Sequence, residues 1–351
     1  MKISVANIKK RCIIPFIIHN KKRNSMGRLT VNKQKLKRFT INTKLVMEEY
    51  LAKLDVDISD YTFAANFIWL ANSSGFYAII NKCFCLFVMT GGELTMLLPP
   101  LGKKKHITDA IIRCFEIMNT NNSSPYYSHI DYVQASMLEE FIQSADEAQS
   151  MFEMLESYIV ERKLVDYVYE VDALIDLRGN SYHTKRTEIN KFMKSYPDYV
   201  IEKLENIKHK DEIMHLFNKW VSDRVKYMPK EEAEHFLEGI HQERHAVKQM
   251  LKYYEELSLI GLVIYINGEL KGFTVGERIN EDTATVIIEK TDFEILGCAQ
   301  FIFREFSKIL KEHYNISYIN VGDDMGFENL RKVKMSYRPF KLVPKYTIYQ
   351  K

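Results

Sequence analysis

The sequence predicts a mixed α/β protein of two tandem domains, each built around a central mixed sheet. Three observations lead to this prediction. Asn267 and Gly268 stand between two alternating apolar runs, which is a strong signal for a two-residue β-hairpin. The chain closes with strand, helix and strand patterns, the order of a crossover unit. Strands followed by an amphipathic helix also occur before residue 120, so the same order is found in both halves.

The pattern of apolar residues places each element. In the first half, strands are expected at residues 76–80, 83–89 and 94–98, and helices at residues 107–118 and 137–158. In the second half, strands are expected at residues 199–204, 259–275, 283–288 and 318–321, and helices at residues 210–225, 231–256 and 298–310, before a last helix and strand. We therefore expect a basic arm at residues 1–36, a first domain at 37–160, and a second domain at 161–351 that carries the site.

The charges are unevenly distributed along the chain. The net charge is +3, yet residues 1–44 hold 13 Lys or Arg and no Asp or Glu. Such an arm either contacts anionic lipid headgroups or RNA phosphates through residues 1–35, or is a weakly ordered tail. No apolar run has the roughly 18 residues of a membrane-spanning helix, so we expect a cytoplasmic protein, peripheral to the membrane if the arm binds lipid.

Two short patterns raise the question of a metal site. Cys83 and Cys85 have strand spacing, which suits buried small side chains better than metal ligands. His241 and His245 share a helix face, as in zinc-binding helices, but Glu243 stands one position away from the place of a general base. We therefore predict no metal.

A basic cluster begins the helix expected after residue 181. Tyr182 lies at the loop-helix junction, His183, Lys185 and Arg186 lie in the first turns of the helix, and Asn190 follows further along. A solvated basic face is one interpretation. The other is a receptor for phosphate or carboxylate, in which Arg186 provides a planar fork and Lys185 a point charge.

Five segments resemble the C-terminal transferase domain of bacterial phosphatidylglycerol lysyltransferase and its soluble relatives. They are residues 67–69, 99–102, 182–192, 288–290 and 326–339. The order of elements is also similar to a tandem of GNAT-type acyltransferase domains. The resemblance covers roughly residues 38 to 349 and implies a transferase.

The resemblance implies a site in the second half. In its chemistry an amine or hydroxyl attacks a carbonyl, a base takes the proton and an acid protonates the leaving group. Glu289 is the candidate base, Tyr337 the candidate acid, and Asn320 would position a carbonyl or water. The alternatives are an ion pair of Glu289 with a nearby cation and a core position for Tyr337. The residues expected to bind substrate are Tyr182, His183, Lys185, Arg186, Asn190, Lys290, Arg331, Lys334 and Arg338.

The sequence is compatible with two classes of donor for the transferred group. Gly297, Ala299 and Gln300 match the window in which GNAT-type enzymes hold the diphosphate of acyl-coenzyme A, but Glu294 occupies a position where that window has Arg or Gln. Lysyltransferases instead use aminoacyl-tRNA. We expect a transferase of aminoacyl or acyl groups to an amine or hydroxyl, the alternatives being a coenzyme A-dependent N-acetyltransferase and a non-catalytic ligand- or membrane-binding protein.

Overall fold

The computed structural model describes residues 30–31, 34–70, 74–138, 157–226 and 228–351. Its strands are β1 (Thr30–Val31), β2 (Gln34–Lys35), β3 (Lys37–Arg38), β4 (Ser74–Ile80), β5 (Cys83–Thr90), β6 (Glu93–Met96), β7 (His129–Gln134), β8 (Tyr158–Glu170), β9 (Val200–Lys203), β10 (Ile260–Ile266), β11 (Glu269–Arg278), β12 (Thr283–Thr291), β13 (Tyr318–Asn320) and β14 (Lys341–Gln350). Its helices are α1 (Lys44–Leu51), α2 (Phe63–Trp69), α3 (Lys104–Asn121), α4 (Val171–Asp176), α5 (His183–Ser195), α6 (Asn206–Lys226), α7 (Lys230–Lys252), α8 (Cys298–Tyr314) and α9 (Glu328–Ser336).

Two predictions fall outside what is described. The basic arm of residues 1–36, with its proposed membrane contact, lies almost wholly outside the described residues, and so does most of the helix predicted over residues 137–158. Across the ranges that are described, none of the helices combines the length and the apolar character needed to cross a bilayer.

Twelve strands form one mixed sheet, in the order β3-β4-β5-β6-β7-β14-β8-β13-β12-β11-β10-β9. The pairs β6–β7 and β12–β13 are parallel and the other neighbours are antiparallel. The mixed α/β class predicted from the sequence is confirmed. The two halves share this sheet because β14, the last strand, pairs with β7 on one side and with β8 on the other. The domain limits at residues 37–160 and 161–351 stay a prediction.

The hairpin and the crossover unit are both found. Asn267 and Gly268 have φ values of 53° and 80°, and they join β10 to β11 where Ile266 pairs with Glu269. Two positive φ values are what a type I′ turn requires. β13 and β14 are both antiparallel to β8, so they run parallel to each other with β8 between them and α9 in the connection.

The sheet is covered on both faces in the second half. Leu262 and Ile264 of β10 belong to a core that includes α4, α5 and α8, whereas Val263 belongs to the core that includes α6 and α7. This alternation follows from the period of two along a strand. In the first core, the rings of Phe192 and Phe301 stack with their centroids 4.6 Å apart, which fixes α5 against α8.

Candidate functional site

Glu289 lies near the end of β12, where its side chain is half-buried. It lies opposite Thr274 of β11, and strand alternation directs its neighbours Ile288 and Lys290 to the other face. Its Oε2 atom is buried and has no hydrogen-bond partner among the described residues. Burial raises the pKa of the Glu289 carboxyl to about 8, an effect that the Thr274 hydroxyl and the Lys290 ammonium only partly offset.

Beside Glu289, one edge of β12 has no strand neighbour among the described strands. β12 pairs with β13 only over residues 283–285, whereas its pairing with β11 continues to Thr291. The last turn of α9 and the start of α5 bring three more side chains that carry charge or a hydroxyl to this region: Tyr337, whose pKa responds to the charges of Glu289 and Glu188, then Lys185, and Glu188 itself. The ends of three elements therefore meet at this part of the sheet.

Tyr337 follows the last residue of α9. Its ring packs edge-on against Phe303, with centroids 5.4 Å apart, and lies 6.0 Å from the ring of Tyr169. Burial raises the pKa of the Tyr337 hydroxyl well above its ordinary value, and the charges of Glu289 and Glu188 raise it further. The predicted acid thus lies within range of the charge of the predicted base.

Lys185 and Glu188 complete this group. The Lys185 ammonium lies 4.4 Å from the centroid of the Tyr337 ring and 3.9 Å from the Glu188 carboxylate. Burial lowers the pKa of Lys185, and Glu188 partly opposes the effect. The Oε2 atom of Glu188, like that of Glu289, is buried without a hydrogen-bond partner in the described part of the chain. Sequence reasoning missed Glu188; its spacing of three from Lys185 on one helix face was the available signal.

Two tyrosines hold the end of α9 in place. The Tyr182 hydroxyl donates to the backbone carbonyl of Tyr337 at 3.0 Å, and the Tyr169 hydroxyl donates to that of Lys334 at 2.9 Å. Tyr182 was predicted to bind substrate, and the structure gives it a contact that positions the candidate acid. Arg186 donates to the carbonyls of Leu177 and of Gly179 (2.7 Å), and so closes the loop before α5.

Several predicted substrate-binding residues have contacts within the fold. Lys334 donates to the carbonyls of Val321 (2.6 Å), Gly322 (3.1 Å) and Asp323, and burial lowers its pKa to about 8. Arg331 donates to Asp324 at 2.8 Å. His183, Asn190 and Arg338 are exposed.

Two predicted residues lie apart from the Glu289 group. The Lys290 ammonium lies on the opposite face, 2.7 Å from Glu243 and 3.9 Å from the Trp220 ring centroid. Asn320 is fully buried and pairs with Thr285, roughly 13 Å along the strand from Glu289 at about 3.3 Å per residue. Its amide group donates to the Asp57 carbonyl and to Asp166, and its oxygen accepts from the Gly322 N–H.

In the described part of the chain, the three cations considered as ion-pair partners of Glu289 contact other groups. Lys290 pairs with Glu243, Lys185 is nearest to Glu188, and Arg186 donates to backbone carbonyls. Within the described chain no group of three or more His, Cys, Asp or Glu side chains is arranged to hold a metal ion.

The proposed cofactor window lies at the start of α8. Gly297 has φ +82°, and a Cβ atom there would lie 2.4 Å from the Glu188 carbonyl oxygen of α5. The close approach of α5 therefore accounts for this glycine without a ligand. Ala299 and Gln300 are half-buried in the first turn. The carboxylates of Asp292 and Glu294 both contact Lys219, at 3.1 and 3.2 Å.

The protein is of mixed α/β class, and a half-buried glutamate, Glu289, lies at an open edge of strand β12. The model of the family described as "Phosphatidylglycerol lysyltransferase, C-terminal" matches residues 51–349, and the chain belongs to this family. The resemblance drawn from the sequence is thereby confirmed.

Solved structures agree with this assignment. A conserved protein of unknown function from Bacteroides thetaiotaomicron is 25% identical, with a TM-score of 0.76 over 91% of this chain and 100% of that one. The C-terminal domain of a protein designated a lysylphosphatidylglycerol synthetase from Agrobacterium fabrum is 13% identical, with a TM-score of 0.60 over 89% of this chain and 93% of that one. L-PGS from Bacillus licheniformis is 12% identical, with a TM-score of 0.58 over 87% and 91%. The last two show a shared fold.

Among curated proteins, an uncharacterised protein of Mycoplasmoides gallisepticum is 23% identical over 190 residues. The match covers 54% of this chain and spans 58% of that protein's length.

Proposed function

We propose that this protein transfers an aminoacyl or acyl group to an amine or hydroxyl acceptor in the cleft formed by Glu289, Tyr337 and Lys185. One observation carries the proposal. Glu289 is a half-buried carboxylate whose buried Oε2 has no partner in the described residues and whose pKa is raised by burial to about 8. A carboxylate with a pKa near the working pH can take a proton from an acceptor and release it again, which is the requirement for a general base.

Each side chain has a chemical role in the proposed step. Ionised Glu289 takes the proton from the acceptor as its nitrogen or oxygen bonds to the donor's carbonyl carbon. The bond from that carbon to the leaving oxygen or sulfur breaks, and the leaving atom takes a proton from the Tyr337 hydroxyl. The Glu289 proton then passes to solvent and Tyr337 is reprotonated, so the step balances. The raised pKa of Tyr337 keeps its hydroxyl protonated until that moment.

Lys185 supports the same step electrostatically. Its ammonium lies 4.4 Å from the Tyr337 ring centroid. A positive charge there favours the negative charge that develops on the carbonyl oxygen. Burial strengthens this effect because charges interact more strongly where water is excluded.

An aminoacyl donor fits the surroundings better than acyl-coenzyme A. Gly297 of the diphosphate window is in contact with the α5 backbone, and Asp292 and Glu294 stand beside it. Carboxylates there disfavour a bound diphosphate. The name of the family also describes a lysyl transfer, which uses an activated aminoacyl ester.

The test offers the full chain labelled lysyl-tRNA or labelled acetyl-coenzyme A, each with phospholipid vesicles, polyamines and peptide amines as acceptors. Labelled product from lysyl-tRNA, lost in Glu289→Gln and kept in Glu312→Gln, is the expected result. Glu312 is a matched control, an exposed glutamate on α8. Product from acetyl-coenzyme A alone would make the protein an N-acetyltransferase. Thermal stabilisation by a donor, without labelled product, would show that the protein binds the donor but does not transfer its group.

A further inference from the structure

A cavity of about 430 Å³ opens at the margin of the sheet, between the end of β9, the start of β10 and the last turns of α8. This volume lies within the range of pockets that hold small molecules. The lining residues are Lys203, Ile260, Gly261, Ile309, His313 and Tyr314. The Cys298 thiol, which lies within range of the Glu289 charge, is at the start of α8, and Ile309 follows roughly 17 Å further along that helix. The cavity is therefore separate from the candidate active site.

Strand register and helix spacing direct two basic side chains to this cavity. Lys203 of β9 pairs with Leu262 of β10, so the two side chains share one face of the sheet. Leu262 packs in the core that includes α8, which places Lys203 on the α8 side. On α8 itself, Ile309 and His313 are four residues apart and therefore lie on the same side of the helix. The ammonium of an edge strand and the imidazole of a helix thus reach one cavity.

The rest of the lining is largely apolar. Ile260 is a buried core residue, Ile309 packs against the same core, and Gly261 contributes no side chain. The half-buried Tyr314 adds an aromatic ring. The backbone carbonyl of Tyr314 accepts a hydrogen bond from Arg278, and this cation offsets the partial negative charge at the end of α8. A ligand that enters the cavity would therefore bury apolar surface without meeting an uncompensated helix end.

The two basic side chains carry hydrogen-bond donors that the fold does not use. Across the ranges that the structure describes, neither the Lys203 ammonium nor the His313 imidazole has a hydrogen-bond or ion-pair partner, and both side chains are exposed. By contrast, the Lys208 ammonium contacts the Glu202 carboxylate of β9. Unpaired donors beside an apolar interior are complementary to a ligand with one anionic end and an apolar body.

We propose that this cavity binds a small carboxylate whose charged end accepts hydrogen bonds from Lys203 and His313 and whose apolar body fills the interior. Other ligands fit less well. A neutral apolar molecule would gain nothing from the two donors. A sugar or a nucleotide would bury hydroxyl and phosphate groups against isoleucine side chains, which offer them no hydrogen bonds. A metal cation would be repelled by the ammonium. The inference does not depend on the proposed reaction.

Fluorine NMR with the full chain tests the cavity. The probes are 4-fluorobenzoate and its neutral analogue 4-fluorobenzamide, each titrated with the wild type. Fluorobenzoate should bind with a Kd of about 1 mM or tighter, and fluorobenzamide at least about tenfold more weakly, because it lacks the negative charge. Lys203→Met and His313→Gln should each weaken fluorobenzoate binding about tenfold, since each removes one donor to a charged group. The matched control, Lys210→Met, removes an exposed lysine of α6 and should leave binding unchanged.

Three results would overturn the proposal. One is the absence of fluorobenzoate binding to the wild type at about 10 mM. Another is equal affinity for fluorobenzoate and fluorobenzamide, which would show that no cation receives the carboxylate. The third is a Lys203→Met variant that binds fluorobenzoate no more weakly than Lys210→Met does, which would place the ligand away from this cavity. Melting temperatures equal to that of the wild type exclude misfolding as the cause, because all three positions are exposed.

Discussion

The Lys345 ammonium of β14 lies 2.7 Å from the Asp166 carboxylate of β8, and both side chains are almost completely buried. Asp323, after β13, lies 3.0 Å from the same ammonium, and Asp60, before α2, also contacts it. Burial opposes the charge of Lys345, but the three carboxylates outweigh it and hold its pKa above the ordinary value. One cation therefore ties together segments from both halves of the chain.

Replacing this cation should destabilise the whole protein. Lys345→Met keeps most of the side-chain volume but leaves buried carboxylates without their cation, so we expect a loss of about 3–5 kcal/mol in the free energy of unfolding. Urea denaturation measures it. The matched control is Lys341→Met on the same strand, whose half-exposed ion pair with Asp57 should contribute no more than about 1 kcal/mol. Equal losses of unfolding free energy in the two variants would show that the buried cluster stabilises the fold no more than the half-exposed ion pair does.

Glu277 should make stability depend on pH in a defined direction. Its carboxylate accepts from the Thr62 hydroxyl and from the Ala65 N–H (3.1 Å), at the start of α2. Burial raises the pKa of Glu277 to about 7 from 4.5, the hydrogen bonds and Lys44 oppose the rise, and Glu48 adds to it. The pKa of Glu277 is higher in the folded state than in the unfolded state, so protonated Glu277 contributes to the free energy of unfolding. This contribution is complete below about pH 4.5 and is lost as the pH rises through 7.

Glu277→Gln removes this titration and keeps an oxygen that can accept both hydrogen bonds. The difference in unfolding free energy, variant minus wild type, should increase by about 1–3 kcal/mol as the pH rises from 5 to 8.5. Urea denaturation at the two pH values measures the difference, and comparison with the wild type cancels the other titrating groups. A constant difference between the two proteins would contradict the prediction.

Local patterns in the sequence predicted local structure well. Asn267 and Gly268 specify their turn because few residues accept two positive φ values in succession. The insertion of β14 between β7 and β8 was not predictable, because it depends on pairing between residues far apart in the chain. As a result, the two sheets predicted for the two domains are joined in a single sheet.

For the candidate site, too, long-range contacts could not be predicted from the sequence. Glu289 and Tyr337 were identified from the resemblance, and the Tyr337 hydroxyl lies within range of the Glu289 charge. Asn320 was chosen for its place at a strand end, yet its amide is occupied by Asp57, Asp166 and Gly322. Sequence alone could not reveal these contacts, because two of the three partners lie more than 150 residues away.

Gly297 should not tolerate a side chain. Gly297→Ala combines a left-handed φ of +82° with a Cβ only 2.4 Å from the Glu188 carbonyl oxygen. Gly322→Ala is the matched control: its φ is +68°, but the nearest atom to a Cβ would be the Ser59 Oγ at 3.6 Å. We expect about 1–2 kcal/mol of strain in both variants, and about 1–3 kcal/mol more in Gly297→Ala because α5 must shift. Similar unfolding free energies for the two variants would contradict the close packing of α5 on Gly297.

Removing the Tyr337 hydroxyl should affect catalysis and not stability. In Tyr337→Phe the ring keeps its contacts with Phe303 and Tyr169, so the melting temperature should stay near that of the wild type. The turnover number should fall by roughly tenfold or more with a poor leaving group, because the leaving atom loses its proton donor. An activated ester with a good leaving group should restore most of the rate. A uniform loss with every donor would show that the hydroxyl is not the acid.

The transfer rate should follow the ionisation of Glu289. Because its pKa is raised to about 8 and the base must be ionised, kcat/KM is expected to rise about tenfold per pH unit below 8 and to level off above it. In Glu289→Gln, kcat/KM should fall roughly a hundredfold or more and should no longer rise with pH. In Glu312→Gln, both the activity and its rise with pH should match the wild type. Initial rates between pH 6 and 9.5, with donor hydrolysis subtracted, measure the profile. A wild-type profile that is flat through pH 8, or a Glu289→Gln variant that keeps the rise, would remove Glu289 as the base and leave Glu188, whose charge also raises the pKa of Tyr337, as the group to test.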